Sequence, residues 1–373
     1  MEQKRCYRNI FTHVIADRVE SNPVFLAEYK PDSDANRNNI LACKIVDTSK
    51  APKDVVRKFL PRELDILVKL NHPHVVQVHS IFQRRTKYFI FMRFAENGDM
   101  LDFILNKGPV GENQARIWLR QLALGLQYLH EMEIAHRDIK CENVLLTTNC
   151  NAKLADFGFA RYVTDMSGKR VLSDTFCGSL LYAAPEILRG SPYNPKVADL
   201  WSLGVILYII LNKAMPFDDT NLIRLYELQS NRRWKFRRKV VDGLSDKVKK
   251  VVMNLLEPDT TKRWRVDEVI HSSWVAMDPR LVVLTPTEQA ALDNAIDDRK
   301  KKEEKHTRKH TIIFRVDEGN DKNTTKSINE DIENVIHIKE VSPGERYMSS
   351  AFIESQNIIA IEEENKNITI GKV

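Results

Sequence analysis

HRDIKCEN at residues 136–143 and DFG at residues 156–158 are the most informative stretches of this chain. Their spacing places Asp138 to accept a proton from a hydroxyl group, and it places Asn143 and Asp156 to hold Mg²⁺ against the phosphates of a nucleotide. Lys140, two residues after Asp138, is placed to neutralise a phosphoryl group during its transfer. The alternative is a buried ion-pair cluster beside a turn. The pattern predicts a site for phosphoryl transfer with ATP and Mg²⁺ as cofactors.

A second set of charged residues lies upstream, on a strand and a helix. LACKIVD places Lys44 in a β-type run, and FLPRELDIL places Glu63 in a helical pattern further along the chain. A lysine that binds phosphates needs a carboxylate to hold it in place. We therefore predict that Lys44 binds the α- and β-phosphates and that Glu63 pairs with it. Taken alone, Lys44 would be read as an ordinary lysine at the end of a strand.

The segment FIFMRFAENGD, residues 89–99, resembles the segment of protein kinases that joins the two lobes, and the resemblance implies that its backbone binds adenine. We expect Met92 at the back of the nucleotide pocket. The rest of the predicted pocket is Val24, Ala42 and Phe94. Asp99 is predicted to reach the ribose or a basic substrate side chain, and the alternative for Asp99 is a helix N-terminal acid favoured by the macrodipole.

Residues from about 11 to 275 resemble a eukaryotic protein kinase domain. The phrases FLPRELDIL, HRDIKCENVLL, DFGFAR and TFCGSLLYAAPEIL resemble the testis-specific serine/threonine kinase family, in the calcium/calmodulin-dependent kinase group. The resemblance implies an α+β, two-lobed kinase fold, with a small β-rich N-lobe and one main helix over about 11–92, and a larger helical C-lobe over about 99–275. It also implies that protein serines and threonines are phosphorylated, by a cytoplasmic enzyme of male germ cells. The nucleus is the alternative location.

The same resemblance assigns roles in the segment 156–186. Thr175 matches the position phosphorylated in many kinases by an upstream kinase, and Ser173 is a weaker candidate; the alternative for Thr175 is a plain polar loop residue. Arg137 would pair with a phosphate in this segment. Ser179 matches the hydroxyl that bonds Asp138 and Lys140. Two further roles are structural: Glu186 would pair with Arg263, and Asp199 would hold the backbone of the catalytic loop.

The Gly-rich loop expected before Lys44 is missing. In the pattern GxGxxGxV, the three glycine positions fall on Asp17, Val19 and Asn22, and the valine position falls on Val24. No glycine precedes Gly98. Glycine is used there because the backbone must approach the phosphates closely. Two interpretations stay open: an active kinase with weaker ATP affinity, or a pseudokinase-like scaffold with weak or no activity.

Charge predicts the peptide preference. Glu142 in the catalytic loop and Asp99 at the lobe junction would flank the peptide groove. Two carboxylates there favour an arginine or lysine two or three residues before the acceptor hydroxyl.

Composition predicts a reducing environment and no membrane span. The five cysteines are scattered without a CxxC pair, the N-terminus has no apolar run of signal-peptide type, and the longest apolar stretch, within 200–211, is too short for a bilayer. The net charge of +6 does not by itself indicate nucleic acid. The basic run at 232–239 is interpreted as a solvated face rather than a nucleic-acid site.

The tail at 276–373 changes composition. DDRKKKEEKHTRKH at 297–310 is nearly all charged, and we predict a mostly disordered tail with segments that dock onto the domain or onto a partner. The lysines at 300–302 are read as a charged linker, with a nuclear-localisation patch as the alternative.

Overall fold

The computed structural model describes residues 24–29, 39–51, 53, 55–165, 169–174, 178–217, 221–316 and 368–372. An antiparallel sheet is followed by a mainly helical region, which confirms the predicted α+β class. The strands are β1 Val24–Tyr29, β2 Asn39–Asp47, β3 Val78–Arg84, β4 Lys87–Arg93, β5 Ile134–Ala135, β6 Val144–Leu146, β7 Ala152–Leu154, β8 Arg161–Tyr162 and β9 Ile368–Lys372. The α-helices are α1 Leu60–Leu67, α2 Met100–Lys107, α3 Glu112–Glu131, α4 Pro185–Leu188, α5 Pro195–Asn212, α6 Leu222–Ser230, α7 Arg238–Val241, α8 Asp246–Leu255, α9 Val266–Ile270 and α10 Pro286–Val316.

The sheet of the N-lobe has the strand order β3-β4-β2-β1-β9. Its register pairs Lys44 with Val24, and it pairs Ala42 with Met92. Directly paired residues lie on the same face, and alternate residues of a strand share a face. These four residues therefore occupy one face of the sheet. The opposite face carries a separate apolar cluster made of Ala27, Leu41, Cys43 and Phe91.

Helix α1 begins after a π-helical turn at Val55–Phe59. Pro61 stands in its first turn, and because proline has no N–H group it cannot donate to the carbonyl four residues earlier. This explains why regular α-helical bonding begins only at this point. Glu63 lies on the buried side of the helix with Ile66 and Leu67, so the apolar stripe of α1 directs the carboxylate towards the sheet.

The C-lobe is built around α5, which is apolar all round. Asn194 caps the helix by accepting a hydrogen bond from the N–H of Lys196, and Pro195 occupies its first turn. Among the described residues α5 alone is long and apolar enough to cross a membrane, and 89 % of it is buried inside the protein. Such burial is that of a core helix. Helix α3 packs against it with its buried stripe, which includes Trp118, Leu122 and Leu129.

The C-lobe also contains the ion pair that the sequence predicts between Glu186 and Arg263. The two guanidinium nitrogens lie 2.6 and 2.8 Å from the two carboxylate oxygens. Arg263 is 1 % exposed, and its guanidinium lies 5.1 Å from the ring centre of Trp201. This bidentate geometry is the strong form of such a pair, and it joins the end of the activation segment to the lobe.

The tail, which we predicted as mostly disordered with segments that dock onto the domain or onto a partner, contains a helix that packs on the C-lobe. Helix α10 begins at Pro286 and packs against α3. The reason is Glu288, whose carboxylate is 4 % exposed and accepts two hydrogen bonds from Arg120, at 2.8 and 3.0 Å. His74 contacts the same carboxylate at 2.8 Å. A single buried ion-pair network thus fixes the first turns of a helix whose later residues are nearly all charged.

Candidate active site

The catalytic loop between β5 and β6 is held by Asp199 of α5. The carboxylate of Asp199 accepts hydrogen bonds from the backbone N–H groups of His136 at 3.0 Å and Arg137 at 2.9 Å. Arg137 has a φ of +67°, which residues with a Cβ adopt rarely. The two hydrogen bonds offset the cost of that conformation, and they set the direction in which Asp138 leaves the loop.

Asp138 lies at the centre of a hydrogen-bond network and is 5 % exposed. Its Oδ2 atom is 2.8 Å from Lys140 Nζ and 3.0 Å from Asn143 Nδ2. Its Oδ1 atom accepts from the backbone N–H of Ser179 at 3.0 Å, and it lies 3.3 Å from the Ser179 hydroxyl. Lys140 also donates to that hydroxyl at 3.0 Å. The arrangement fixes an oriented carboxylate beside a lysine, as a proton acceptor for a hydroxyl requires.

Lys44 bridges two carboxylates, one from each lobe. Its Nζ atom lies 2.8 Å from Glu63 Oε1 and 3.1 Å from Asp156 Oδ1. Burial works against the Lys44 ammonium, but the charges of Asp156 and Glu63 outweigh it and raise the Lys44 pKa. The Lys44 charge in turn holds the pKa of Asp156 well below its usual range. Lys44 therefore stays charged, as phosphate binding requires.

Asn143 and Asp156 are the predicted Mg²⁺ ligands, and the structure brings them to neighbouring places. The backbone N–H of Ala155, next to Asp156, donates to the carbonyl of Asn143 at 2.8 Å. The side-chain nitrogen of Asn143 is committed to Asp138, which leaves its amide oxygen for an ion. The side chain of Asp156 is half exposed. An amide and a carboxylate oxygen suit Mg²⁺, which takes its other ligands from phosphates and water.

The predicted nucleotide pocket lies on the Lys44 face of the sheet. Val24, Ala42 and Met92 share that face by register. Phe94 follows the end of β4 and is half-buried, in the segment that leads to α2. The pocket therefore has an apolar wall beside the phosphate-binding lysine. Positions 17, 19 and 22, where the glycines are missing, lie outside the described residues, as does Thr175.

Ser173, the weaker phosphorylation candidate, is fully buried. Its hydroxyl lies 3.3 Å from a guanidinium nitrogen of Arg137 and 3.5 Å from one of Arg161. Its backbone pairs with Tyr193 through two hydrogen bonds of 2.9 Å. An upstream enzyme would reach this hydroxyl only after the segment had opened, so its position does not favour phosphorylation. Arg137 is close to the segment, as its predicted role requires.

Asp99 and Glu142 form an acidic pair near the catalytic loop. Burial raises the pKa of Asp99 to about 6, and the neighbouring charges of Asp102 and Glu142 contribute to the shift. Burial also raises the pKa of Glu142, which accepts a hydrogen bond from Tyr182 at 3.2 Å. Asp99 also caps α2, since its side chain accepts from the N–H of Asp102. Both predicted roles of Asp99 are therefore compatible with its place.

Three features of the site were missed in the sequence. Tyr162 of β8 donates to Asp65 of α1 at 2.9 Å, which ties the activation segment to the helix that carries Glu63. The contact of Tyr182 with Glu142 is the second. Gly178 has a φ of +92°, and a Cβ there would lie 2.6 Å from the carbonyl oxygen of Arg137. The glycine before Ser179 was the sequence signal for this last feature, because glycine adopts a positive φ at no steric cost.

Comparisons with known proteins agree with these observations. A family model described as "Protein kinase domain" matches residues 32–275, so the match begins after the positions of the missing glycines. The chain is 45 % identical over 237 residues to testis-specific serine/threonine-protein kinase 1 of Mus musculus, covering 63 % of this chain and 64 % of that relative. It is 44 % identical to kinase 2 of the same series in mouse, covering 63 % of this chain and 66 % of that relative. Kinase 3 of Homo sapiens is 40 % identical, with 63 % and 86 % covered. The chain thus spans less than two thirds of the length of the first two relatives.

Proposed function

The chain belongs to the protein kinase domain family, and from this premise we propose that it transfers the γ-phosphoryl group of ATP to serine or threonine hydroxyls of proteins. The oxygen of the acceptor hydroxyl bonds to the γ-phosphorus, the bond from that phosphorus to ADP breaks, and the hydroxyl proton passes to Asp138. Mg²⁺, held by Asn143 and Asp156, would neutralise charge on the phosphates.

The residues of this chain do the positioning. Lys44 binds the α- and β-phosphates because Glu63 and Asp156 hold its ammonium between them. Lys140 contacts Asp138 and Ser179 together, so a positive charge lies beside the carboxylate where the transferred group passes. In a partly buried site such a fixed charge stabilises the transferring phosphoryl group more than it would in water.

One observation carries the proposal. The carboxylate of Asp138 is oriented by donors on both of its oxygens while Lys44 joins α1 to the DFG segment. Both halves of the site are therefore assembled in the same structure. An arrangement kept only for folding would have no need of a lysine beside Asp138 and a half-exposed Asp156.

The test is transfer of radiolabelled phosphate from ATP, with Mg²⁺, to a serine-containing protein or peptide. The wild-type chain should incorporate label, and Asp138→Asn should lose at least about a hundredfold in rate. Phosphoamino-acid analysis should find phosphoserine and phosphothreonine but no phosphotyrosine. Equal background signals from both proteins would contradict the proposal.

A scaffold with weak or no catalytic activity is the second candidate. It is favoured by the absence of glycine from positions 17, 19 and 22 and by a family match that begins only at residue 32. Thermal unfolding with increasing Mg-ATP separates the candidates, because a ligand that binds the folded state raises the unfolding temperature. No shift and no transfer together would favour the scaffold.

We further propose that the substrates carry an arginine or lysine two or three residues before the acceptor. The support is the pair Asp99 and Glu142. Burial raises the pKa of both carboxyl groups, and the Glu142 charge adds to the rise for Asp99. A basic side chain between them would favour their charged forms. Peptides that differ only at that position test the preference. Equal values of kcat/KM for the arginine and alanine peptides would refute it.

The setting proposed is male germ cell differentiation, supported by the relatives named testis-specific kinases. We propose that the protein acts in the cytoplasm, with the nucleus as the alternative, and that an upstream kinase phosphorylates Thr175. Mass spectrometry of the protein from germ cells, together with immunolocalisation there, tests these points. Absence of the protein from germ cells would contradict the setting, and an unmodified Thr175 in active protein would contradict the activation step.

A further inference from the structure

A run of basic residues follows α6 in the C-lobe. Residues 231–239 read NRRWKFRRK and contain six lysines and arginines and no acid. These six positive charges lie within nine residues of a chain whose net charge is +6. The proposed transfer reaction makes no use of these residues.

The aromatic residues of the run anchor its backbone. The rings of Trp234 and Phe236 lie 5.9 and 5.8 Å from the ring of Tyr208 in α5. The Tyr208 hydroxyl donates to the carbonyl of Lys235 at 2.8 Å. The rings therefore face the lobe, and the segment between α6 and α7 is held to a core helix over its middle.

The cations after Arg232 are exposed, and the guanidinium of Arg237 also lies 3.5 and 3.4 Å from the carbonyl oxygens of Asn212 and Lys213. Arg233, Lys235 and Arg237 alternate with the two inward rings, and all three are exposed. Because the two rings between them face the lobe, the three cations lie on the outer side of the segment. Arg237 is fixed by its N–H, which donates to the side chain of Asn212 at 3.1 Å. Arg238 and Lys239 continue the exposed charge into α7. We call Arg233, Lys235, Arg237, Arg238 and Lys239 the basic row.

The basic row lacks counter-charges from the part of the chain that the structure describes. Arg232, just before it, is neutralised by both carboxylate oxygens of Glu257, at 2.5 and 2.6 Å. No such ion pair with a described carboxylate is formed by the row itself. The acids nearest in sequence, Glu227 and Asp242, are exposed and do not pair with it. Like charges held side by side repel, so the row gains most from an anionic partner.

We propose that the basic row is a docking surface for an extended acidic segment of a partner protein. Glutamates or aspartates at alternate positions of an extended chain lie on one side of it, about 7 Å apart, so several of them face the row together. Each exposed ion pair is weak, so docking needs several together and weakens as salt screens them. Docking does not depend on phosphoryl transfer.

The ring orientation favours protein over nucleic acid. Surfaces that bind single-stranded nucleic acid combine cations with exposed aromatic rings on which bases stack. Here both rings of the run pack against Tyr208 and meet each other edge to face, 5.4 Å apart. The row offers charge without a stacking platform.

The experiment measures binding of a fluorescent dodecapeptide of alternating glutamate and alanine, which has no hydroxyl to be phosphorylated. Fluorescence anisotropy gives its Kd for the full chain. Arg233→Glu/Lys235→Glu should raise Kd at least about tenfold. Lys50→Glu/Lys53→Glu, the same charge change at exposed lysines of the N-lobe, should leave it within about twofold. Raising salt from about 0.05 M to about 0.3 M should weaken binding.

Arg233→Gln/Lys235→Gln provides a second, milder variant, which should weaken binding less than the charge reversal and should unfold at the wild-type temperature. Equal losses from the row variant and the N-lobe control would overturn the proposal, because they would show attraction to net charge alone. Tighter, row-dependent binding of a single-stranded oligonucleotide or of anionic lipid vesicles would overturn it as well, in favour of that ligand.

Discussion

Replacing Glu288 with glutamine should destabilise the C-lobe, although this residue lies beyond the matched kinase domain. Its carboxylate receives two hydrogen bonds from Arg120 and one contact from His74, all between 2.8 and 3.0 Å. The side chains of Glu288 and Arg120 are 4 % and 6 % exposed. The substitution keeps the size of the side chain and removes its charge, so Arg120 would stay buried without its counter-ion.

The expected loss is about 3 kcal/mol, the lower end of the usual cost of removing one partner from a buried ion pair. For a domain of this size that equals a fall of roughly 6 °C or more in unfolding temperature. Burial by itself would raise the pKa of Glu288, but hydrogen bonds from His74 and Arg120 outweigh it and hold that pKa well below its usual range. A carboxylate whose pKa is lower in the folded chain than in the unfolded chain stabilises the folded state at pH values above the unfolded pKa, about 4.3. This contribution to stability is lost as the pH falls towards the folded pKa.

Urea unfolding followed by tryptophan fluorescence measures the effect. Asp297→Asn removes the same charge from an exposed position of α10 and should cost less than about 0.5 kcal/mol. The gap between wild type and Glu288→Gln should narrow as the pH falls from about 7 to below about 4. A loss no greater than that of Asp297→Asn, or a gap independent of pH, would refute the buried-pair reasoning.

Three further predictions concern the active site. Gly178→Ala should reduce the rate of phosphoryl transfer at least about a hundredfold, because the new Cβ would lie 2.6 Å from the Arg137 carbonyl oxygen. Gly108→Ala is the control: it has a similar φ of +89° with no atom within 4 Å, and it should keep activity. Equal losses of activity would point to backbone strain alone. The pKa of Asp99 is raised to about 6, so its carboxylate loses its charge below that pH. The ratio of kcat/KM for arginine peptides to kcat/KM for alanine peptides should therefore fall as the pH is lowered from about 7.5 to about 5.5. A constant ratio would show that Asp99 does not contact the arginine of the peptide. Tyr162→Phe should raise KM for ATP several-fold in steady-state kinetics by loosening α1, and an unchanged KM would show that its hydroxyl does not position the helix.

The contacts within the catalytic loop follow from the sequence because they are local. Asp138, Lys140 and Asn143 lie within six residues, so their spacing alone brings their side chains together. Lys44 and Glu63 are further apart, but each stands in a recognisable strand or helix, and the structure joins them at 2.8 Å. The strand pattern, the helix pattern and the need of a phosphate-binding lysine for a carboxylate were enough to predict this pair.

The contacts that escaped sequence reasoning join distant segments without a local pattern. Glu288 stands 168 residues from Arg120, and the charge-rich composition of the tail does not indicate which of its segments docks. Ser173 is buried by pairing with Tyr193 across the activation segment, and nothing in the residues around either position predicts that pairing. In both cases burial of a polar group depends on a partner that only the folded chain supplies.

The central claim is that the catalytic and Mg²⁺-binding residues support phosphoryl transfer although the glycines expected to contact the phosphates are missing. The most direct measurement is the rate of phosphoryl transfer as Mg-ATP is raised to saturation, for wild type and for Asp156→Asn. We predict a saturating curve for the wild type, with a KM for ATP above that of a kinase with the glycines and with kcat within about 1–100 s⁻¹. A wild-type rate at saturation equal to that of Asp156→Asn would contradict the claim.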